Sequence, residues 1–514
     1  MATDSPEHLL QRFVEKVNQV EAAVDVNQLW YRDVQVWPLI RCYLAASVFN
    51  PDKKLIVKKS FLDKKEDSMP ETSVQDLLEV GNLSSSGNFS PIENFKYERN
   101  APVLFSRKST SVLFNGQYFD SILDPLLESD VLNHRGMKME FLEPGAEKKL
   151  PRKNNILFIK LNRLKDVSWE SLSNYSPSKE WGTLFSELKE AVSRIIQFDI
   201  DELFFRFRAE NIHCLSNLVQ LMFQKIQPNV VFLSKTFNVN AMSVIHACKK
   251  LNIPCVDVQH GIQGIHSLTY THWHCPPPEG YQLLPKFYWV WSHRNVQKIV
   301  STRPNGTVYP KPVIGGNLWI SRWMTRPVGS MDPEHEQFLQ LLKNYRRVVL
   351  VTLNWVKNSI PPELIQAVKD SPQDWFWMMR GHPMHKEKGI IQSLLDDNRI
   401  QNADTKKSSE YPLYLLLENC HHHVTCWSSV ACEAMQFKVW TTLCHPIGKN
   451  LFNREIEEGL LLYASTSEEI LNSIENHSVP MTIQPDPPYF ETDLDTARKA
   501  YAFICSHKVE KENN

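Results

Sequence analysis

The spacing of hydrophobic and polar positions changes several times along the chain. Residues 1–50 carry apolar positions at mixed helical spacing, which predicts a helical N-terminal segment. Residues 51–100 contain the polar runs KKEDSMPE and GNLSSSGNFS, which predict a flexible connector. Two short apolar runs, Val103 to Phe105 and Ser111 to Phe114, then precede the turn-forming pair Asn115-Gly116. This pattern is typical of a hairpin or of the first strands of a sheet.

Strand patterns and helix patterns alternate from Asn154 onward. Runs of strand length include NVVFLSK, PCVDVQ and KFYWVWS, followed later by RRVVLVTLN, WFWMMRGHP and HHHVTCWSS. Amphipathic stretches such as HCLSNLVQLMFQKI and VACEAMQF lie between these runs. Alternation of this kind predicts parallel βαβ units. We therefore predict an α/β protein built from two Rossmann-like domains that face an interdomain cleft.

Two domain boundaries follow from this alternation. We place an N-terminal Rossmann-like domain at residues 101–310 and a C-terminal Rossmann-like domain at residues 311–490. The spacing of Thr466 and Glu469 predicts a capping box at the start of a late helix in the second domain. Residues 491–514 hold a further helix pattern, and this helix could cross back onto the first domain.

Composition and charge narrow the classes of function. The chain has 514 residues, and its 57 Lys and Arg nearly cancel its 58 Asp and Glu. No overall field therefore attracts nucleic acid or an anionic membrane, and an anionic ligand needs a local site. The N-terminus is polar and acidic, no long apolar run occurs, and the ten cysteines form no regular framework. We expect a cytoplasmic protein without a transmembrane segment, and peripheral association with the inner face of a membrane stays open.

Polar residues follow four of the predicted strands at their carboxyl ends. The segments are QHG at 259–261, GGN at 315–317, RGHP at 380–383 and TCWSSVACEA at 425–434. In open α/β sheets, ligands bind in the crevice outside the carboxyl ends of the strands, so these groups could share one ligand. The predicted substrate-binding residues are Gln259, Gly261, Gly316, Asn317, Arg380, Ser428, Ser429 and Glu433.

Ser428 and Ser429 lie between a strand pattern and a helix pattern. Their hydroxyls and the free N–H groups of the first helical turn would form an anion site that suits a phosphate. A plain N-cap would account for the same two residues. Glu433 lies about one turn further on, where it could face the same cavity and accept hydrogen bonds from ribose hydroxyls. A helix glutamate that faces solvent is the alternative.

Two histidines are the predicted catalytic residues. His382 follows Arg380 at a strand end, where the pair can hold a phosphate and the imidazole can donate a proton to it. His260 can accept the proton of an attacking hydroxyl, while Gln259 could orient this histidine or bind a sugar. The alternatives are that His382 caps a turn and that His260 bonds to backbone at the domain junction.

Side chains of metal-binding types cluster between Cys420 and Cys426, which flank three consecutive histidines. Their spacing matches no compact zinc site, and successive strand residues point to opposite faces, so we predict no metal there. The Asp-x-Asp pairs at 199–201 and 493–495 lie in or beside helical patterns, away from strand ends. No Walker-type loop and no G-x-G-x-x-G segment occurs, which argues against an NTPase and a nicotinamide enzyme.

The ordered segments VDVQHGIQG, WVWS, VIGGNLW, RGHP and VTCWSSVACEA resemble those of GT-B glycosyltransferases of bacterial surface-polysaccharide assembly. More distantly, they are similar to capsule polysaccharide enzymes, polysialyltransferases and CDP-glycerol glycerophosphotransferases. The resemblance covers roughly residues 229–465. Those transferases have a Gly-x-Pro turn after the helix that carries Glu433, whereas this chain has Phe437-Lys438-Val439-Trp440.

This resemblance implies a GT-B-like fold with a helical N-terminal extension and a metal-independent glycosyltransferase activity. It implies that a nucleotide sugar, as a substrate and with no cofactor, binds the C-terminal domain with its phosphate at His382 and the Ser428-Ser429 pair. Glu433 would approach the ribose. His260, across the cleft, would act as base or position the acceptor, a glycan or a lipid-linked molecule. The alternatives on the same fold are glycerophosphate transfer, nucleotide-sugar epimerisation and non-catalytic binding of a nucleotide or glycan.

Overall fold

The structure is a computed structural model, which describes residues 9–47, 78–83, 89–91, 98–106, 111–114, 117–142, 156–161, 164–262, 267–304, 306–307, 309–326, 333–354, 360–382, 388–398, 400–477 and 479–507. The strands are β1 (Trp30–Tyr31), β2 (Val34–Gln35), β3 (Leu78–Leu83), β4 (Phe89–Pro91), β5 (Val103–Phe105), β6 (Ser111–Phe114), β7 (Gln117–Asp120), β8 (Met137–Phe141), β9 (Leu157–Leu161), β10 (Val231–Leu233), β11 (Cys255–Val258), β12 (Phe287–Val290), β13 (Lys311–Ile314), β14 (Arg347–Thr352), β15 (Trp375–Arg380), β16 (Ala403–Asp404), β17 (His422–Thr425), β18 (Trp440–Leu443) and β19 (Leu462–Tyr463). The α-helices are α1 (Leu9–Ala23), α2 (Trp37–Ser47), α3 (Asp124–Glu128), α4 (Leu164–Ser173), α5 (Lys179–Ile196), α6 (Glu202–Ile226), α7 (Val239–Lys250), α8 (His293–Val300), α9 (Leu318–Met324), α10 (Pro333–Leu342), α11 (Pro362–Asp370), α12 (Lys388–Asp397), α13 (Lys406–Glu410), α14 (Leu413–Glu418), α15 (Val430–Gln436), α16 (Pro446–Leu451), α17 (Asn453–Glu457), α18 (Ser467–Asn476) and α19 (Leu494–Ser506). Short 3₁₀ helices lie at Val26–Gln28 and Asp130–Leu132.

The first domain is built on a sheet with the strand order β13-β12-β11-β10-β5-β8-β9-β3-β4. Neighbouring strands from β13 to β9 are parallel, whereas β3 and β4 are antiparallel at one edge. The central strands β10, β11 and β12 are buried along their whole length. Parallel strands covered on both faces need apolar side chains at consecutive positions, which explains runs such as KFYWVWS.

The second domain is built on a parallel sheet with the order β16-β15-β14-β17-β18-β19. Successive residues of β14 enter different cores: Val348 and Leu350 pack in one cluster, and Val349 and Val351 in another. Both faces of the sheet are therefore covered. Two such parallel sheets confirm the predicted fold class, with two Rossmann-like domains. Throughout the described ranges, no helix combines the length and the apolar character that crossing a membrane requires.

Helices α1 and α2, with the short hairpin β1–β2, form the N-terminal segment and pack into one hydrophobic cluster with α5 and α6. Arg41 of α2 is fully buried, forms an ion pair with Glu21, and donates hydrogen bonds to the carbonyls of Leu268, Thr271 and His272. A buried charge needs such partners because its desolvation is costly. The N-terminal segment is thus part of the first domain's core.

The flexible connector predicted at residues 51–100 needs correction at two places. Strand β3 pairs with β9, and β4 pairs with β3, so both belong to the edge of the first sheet. Edge strands tolerate polar residues because one side stays open to water, and their sequence therefore looks like a loop. Apart from these strands and residues 98–100, the predicted connector lies outside the described residues.

The two apolar runs before Asn115-Gly116 form strands that belong to different sheets. Strand β5 joins the first sheet, whereas β6 and β7 pair with each other as an antiparallel hairpin. The two turn residues lie outside the described residues. Val112 and Phe119 of this hairpin pack against the core of the second domain, so the hairpin connects the domains.

Two segments cross between the domains. Strand β13 pairs with β12, so the first sheet extends past the boundary predicted at residue 311. Helix α19 packs Ala497, Ala500 and Ile504 into the same cluster as strands β5 and β10 of the first domain. Arg498 forms an ion pair with Asp130 there at 2.6 Å. The predicted capping box at Thr466 and Glu469 is also present.

Candidate functional site

A cavity of about 910 Å³ lies between the carboxyl ends of the two sheets. The residues that line it from the loops after the strands include Lys235, His260, Trp291 and Asn317 from the first domain and Leu353, His382, Thr405 and Ser428 from the second. Its volume is at the upper end of the range of about 300–1,000 Å³ that small-molecule sites occupy. The cavity therefore has the position and size of a ligand site in an open α/β fold.

Gln259 and His260 leave strand β11 at the wall of this cavity, and their side chains are used differently. The Gln259 amide is engaged with backbone: its Oε1 accepts from the N–H of Trp291 at 2.9 Å, and its Nε2 donates to the carbonyl of Gly261 at 2.9 Å. Gln259 therefore fixes the turn. His260 is partly buried and lines the cavity. The described lining does not include Gly261, and no atom would crowd a Cβ at that position.

The pair Gly315-Gly316 follows strand β13. It contacts the segment around Glu491, which leads back to helix α19 in the first domain. A Cβ on Gly315 would be 1.9 Å from the ring of Trp289, and Gly316 has a φ of +80° with the carbonyl of Glu491 2.3 Å from its Cβ position. Only glycine fits both conditions. Asn317 then caps α9 by accepting from two backbone N–H groups of the first turn. Packing thus explains the Gly-Gly-Asn segment, which also lines the cavity at Gly316 and Asn317.

Arg380 is the last residue of strand β15 and His382 follows the strand, and both line the cavity from the second domain. The Nη1 atom of Arg380 donates to the carbonyl of Ser408 at 2.6 Å and to the carbonyl of Tyr411 at 2.7 Å. Burial lowers the pKa of Arg380 to about 10, and the nearby Glu433 opposes this effect. Arg380 therefore stays a cation at neutral pH, and the two carbonyls fix its orientation.

The serine pair begins helix α15, and the two hydroxyls have separate roles. The Oγ of Ser428 accepts a hydrogen bond from the N–H of Val430 at 3.3 Å. Ser429 holds the N-cap position with a helical backbone, and its side chain makes no capping bond. Both side chains line the cavity. The plain-cap alternative thus applies to Ser428, while the hydroxyl of Ser429 is placed at the cavity without a capping function.

Glu433 faces the cavity and not the bulk solvent. Burial raises the pKa of Glu433 to about 7, although a hydrogen bond with Tyr414 and the charge of Arg380 both favour the carboxylate. Asn317 also hydrogen-bonds to the Tyr414 hydroxyl, so this tyrosine joins Glu433 to the cap of α9. A carboxyl group with a pKa near neutrality can donate as well as accept a hydrogen bond.

Lys438 occupies the turn after helix α15, where the similar transferases have Gly-x-Pro. Its φ is +59°, in the left-handed region that glycine adopts most readily. The N–H of Val439 donates to the carbonyl of Ala434, and the carbonyl of Lys438 accepts from the N–H of Met481 at 2.8 Å. These bonds hold a glycine-like turn without a glycine.

Two of the three consecutive histidines near Cys426, His422 and His423, are buried in the second sheet, whereas His421 is exposed. His422 contacts the hydroxyl of Thr442 at 2.8 Å, and His423 contacts the hydroxyls of Thr352 and Thr441 at 2.8 and 3.0 Å. Burial lowers the pKa of both histidines to about 3. Among the described residues, no group of three or more His, Cys, Asp or Glu side chains could hold a metal ion.

Lys235 and Tyr414 are two of the cavity residues that were not predicted from the sequence. Lys235 follows strand β10, and its place after a strand pattern was the same signal that pointed to His260. Tyr414 lies within the apolar helix pattern PLYLLLEN, where an aromatic residue gives no sign of a polar contact. Its partnership with Glu433 arises only when helices α14 and α15 come together.

Comparison with known proteins shows no family for this chain. No family model matches the sequence, and no curated protein matches it. Among solved structures, the chain is similar to the UDP-GlcNAc 2-epimerase of Methanocaldococcus jannaschii in complex with UDP-GlcNAc and UDP, with 12% identity, a TM-score of 0.47, and 79% of this chain and 99% of that chain covered. The enzyme of the same name from Neisseria meningitidis, bound to UDP-GlcNAc, has 12% identity, a TM-score of 0.46, and coverage of 78% and 98%. A ugt transferase from Siraitia grosvenorii in complex with UDP has 12% identity, a TM-score of 0.42, and coverage of 79% and 94%.

With identities of 12% and TM-scores below 0.5, these similarities carry no argument about the function. The site is therefore interpreted from the residues of this chain. They define an α/β protein in which two Rossmann-like domains enclose an interdomain cavity.

Proposed function

We propose that the protein is a glycosyltransferase that moves a sugar from a nucleotide donor to a hydroxyl of an acceptor. The observation that supports this proposal is the interdomain cavity, which Arg380 and His382 line from one wall and His260 lines from the other. A transfer reaction needs groups that bind a departing phosphate on one side of the reacting atom and a base on the other. The cavity offers both kinds of group.

The second domain would hold the donor. Arg380, fixed by two carbonyls, and His382 supply positive charge and hydrogen-bond donors for a phosphate, and the hydroxyl of Ser429 supplies a neutral donor. Glu433 would accept from ribose hydroxyls as a carboxylate or donate to them when protonated. Donors that are already fixed stabilise charge on the leaving group without reorganisation.

The first domain would hold the acceptor. His260 lies at the end of β11, and Gln259 fixes the turn that presents it to the cavity. An imidazole titrates near neutral pH and can accept the proton of an attacking hydroxyl. In a reaction that retains configuration, His260 would position the acceptor instead.

The first test is thermal stabilisation of the whole chain by CMP, UDP, GDP, CDP, dTDP and ADP. A nucleotide that binds the folded state at about 100 times its Kd stabilises it by about 2.7 kcal/mol, which raises the melting temperature. We expect one nucleotide to act and both His382→Ala and Ser429→Ala to weaken its effect. His274→Ala is the matched control because His274 is exposed and outside the cavity lining. Stabilisation by none of the six nucleotides would remove the donor premise.

The second test separates transfer from the other reactions that this site could perform. The nucleotide sugars of the base found in the first test are incubated with the protein, with and without glycan acceptors. Release of free nucleotide that depends on the acceptor and on His260 supports the proposal. An isomerised nucleotide sugar without an acceptor would indicate an epimerase, and transfer from CDP-glycerol would indicate a glycerophosphotransferase. Binding without turnover in wild type and His260→Ala would indicate a binding protein.

The biological setting is a separate part of the proposal. Surface-polysaccharide assembly on a glycan or lipid-linked acceptor, at the cytoplasmic side of a membrane, rests on the sequence resemblance over residues 229–465. Co-sedimentation of the protein with vesicles, tested with and without an anionic lipid, would measure the membrane part. Recovery of all the protein in the supernatant would contradict it.

A further inference from the structure

Lys235 lies on the same wall of the cavity as His260, after strand β10. Among the described first-domain residues that line the cavity, Lys235 and His260 are those that can carry positive charge, and none is an aspartate or glutamate. Lys235 therefore brings an ammonium group to this wall. Its charge is separate from that of Arg380 and His382, which belong to the opposite wall.

The backbone of Lys235 is held in an uncommon conformation. Its φ is +55°, in the left-handed region, which costs a residue with a side chain roughly 1 kcal/mol or more. Two hydrogen bonds enforce it: Asn238 donates from Nδ2 to the Lys235 carbonyl at 2.9 Å, and Thr236 donates from Oγ1 to Asp257 at 2.8 Å. Strained residues that their neighbours enforce are concentrated at ligand sites.

Asp257 connects this loop to the strand that carries His260. Its side chain is fully buried on β11 and accepts a second hydrogen bond from the hydroxyl of Tyr270 at 3.1 Å. Thr236 lies before helix α7, and Tyr270 lies after strand β11 in the chain. The carboxyl group of Asp257 therefore joins the segment before α7 to the segment around Tyr270. The segment that follows Lys235 is thereby joined to the strand that ends just before Gln259 and His260.

Apolar side chains also line the first-domain wall of the cavity. They include Ile122, Leu126, Val258 and Trp289. In such surroundings, the attraction between an ammonium group and an anion is stronger than in water because the local dielectric constant is lower. The wall suits a ligand with an anionic group and less polar flanks.

We propose that Lys235 binds an oxyanion, a phosphate or carboxylate group, of the acceptor. The inference rests on the proposed function and makes the acceptor more specific. Lys235 shares its wall with His260, the proposed base, whereas the groups for the donor phosphate lie on the opposite wall. The acceptor thus carries its reacting hydroxyl and an anionic group within reach of one wall.

The experiment measures binding of glycerol 3-phosphate and of glucuronate by calorimetry, with and without the nucleotide that stabilises the whole chain. Lys235→Asn removes the charge and keeps the left-handed backbone accessible, because asparagine tolerates this region. Lys235→Arg keeps the charge. Lys189→Asn is the matched control, since Lys189 is exposed and outside the cavity. The two ligands distinguish a phosphate from a carboxylate.

We expect wild type to bind at least one of the two ligands and Lys235→Asn to weaken that binding at least about tenfold, as loss of a charge-assisted hydrogen bond does. Lys235→Arg should stay within about threefold of wild type, and nucleotide affinity should not change. Equal binding by wild type and Lys235→Asn, or binding of neither ligand by wild type, overturns the proposal. A tenfold loss of nucleotide affinity in Lys235→Asn also overturns it, because Lys235 would then serve the donor. If no nucleotide binds, the proposed function fails, while the titrations without nucleotide still decide the role of Lys235.

Discussion

Replacing Glu433 with glutamine tests whether this carboxyl group is buried in the cavity as described. Burial raises the pKa of Glu433 from 4.5 to about 7, so the folded protein retains a proton that the unfolded chain releases. The resulting stability is fully present below pH 4.5 and is lost as the pH rises through 7. Glutamine has nearly the same shape as glutamate and does not titrate. The stability of the Glu433→Gln variant therefore does not fall in this way as the pH rises.

The size of the effect follows from the shift in the pKa. Each tenfold change in proton affinity is worth about 1.4 kcal/mol, so the rise to about 7 corresponds to about 3 kcal/mol at most. The free energy of unfolding of Glu433→Gln, relative to wild type, should therefore increase by about 2–3 kcal/mol between pH 5 and pH 8. Every other titrating group is present in both proteins and cancels in the difference.

The assay is the melting temperature of both proteins in half-unit steps of pH from 5 to 8. We expect the difference between them to grow through this range in favour of Glu433→Gln and to level off above pH 7. Glu187→Gln is the control, because Glu187 is exposed on α5 and its loss changes the net charge equally. Parallel pH profiles for wild type and Glu433→Gln would refute the reasoning, since the carboxyl group would then titrate alike in the folded and unfolded chains.

Three further substitutions test the framework around the cavity by chemical denaturation. Gly315→Ala should lower the free energy of unfolding by about 2 kcal/mol or more, because the added Cβ overpacks against an indole ring. Gly261→Ala should be nearly neutral, because no atom lies near its Cβ position. Equal effects of the two substitutions would contradict the packing argument. Thr466→Ala should cost about 1 kcal/mol by removing the capping bond of α18, and Thr466→Ser should restore most of it; no loss in the alanine variant would exclude a contribution of the cap. Arg41→Met should lower the free energy of unfolding by about 3 kcal/mol or more, because it leaves Glu21 buried without its ion-pair partner. Adding Glu21→Gln should recover part of this loss. If the losses from the two substitutions simply add, the two residues are not coupled.

Local sequence patterns were sufficient to predict the central parallel strands of both sheets and the strand ends that line the cavity. Apolar runs such as PCVDVQ need only their own composition to indicate a buried parallel strand, and polar residues directly after them mark the carboxyl end. His260, Arg380 and His382 all follow such runs and line one cavity. The same rule would have pointed to Lys235, which is the last residue of the run NVVFLSK.

Contacts between distant segments decided the rest. Strand β3, which lies next to the edge strand β4, follows a polar segment, and only its pairing with β9 makes it part of the sheet. Likewise, the sequence suggests that Gln259 meets a ligand, whereas the fold places the N–H of Trp291 within 2.9 Å and uses the amide to fix a turn.

Glu433 shows the division between sequence and tertiary structure most clearly. Helical spacing from the serine pair predicted that its side chain could face the cavity. Its protonation depends on burial beside Tyr414 and Arg380, which come from separate elements of the second domain. The sequence therefore determined which groups emerge at the ends of the strands, because that information is local. The tertiary structure determined their charge and their partners, because desolvation and hydrogen bonding depend on which distant segments pack around each group.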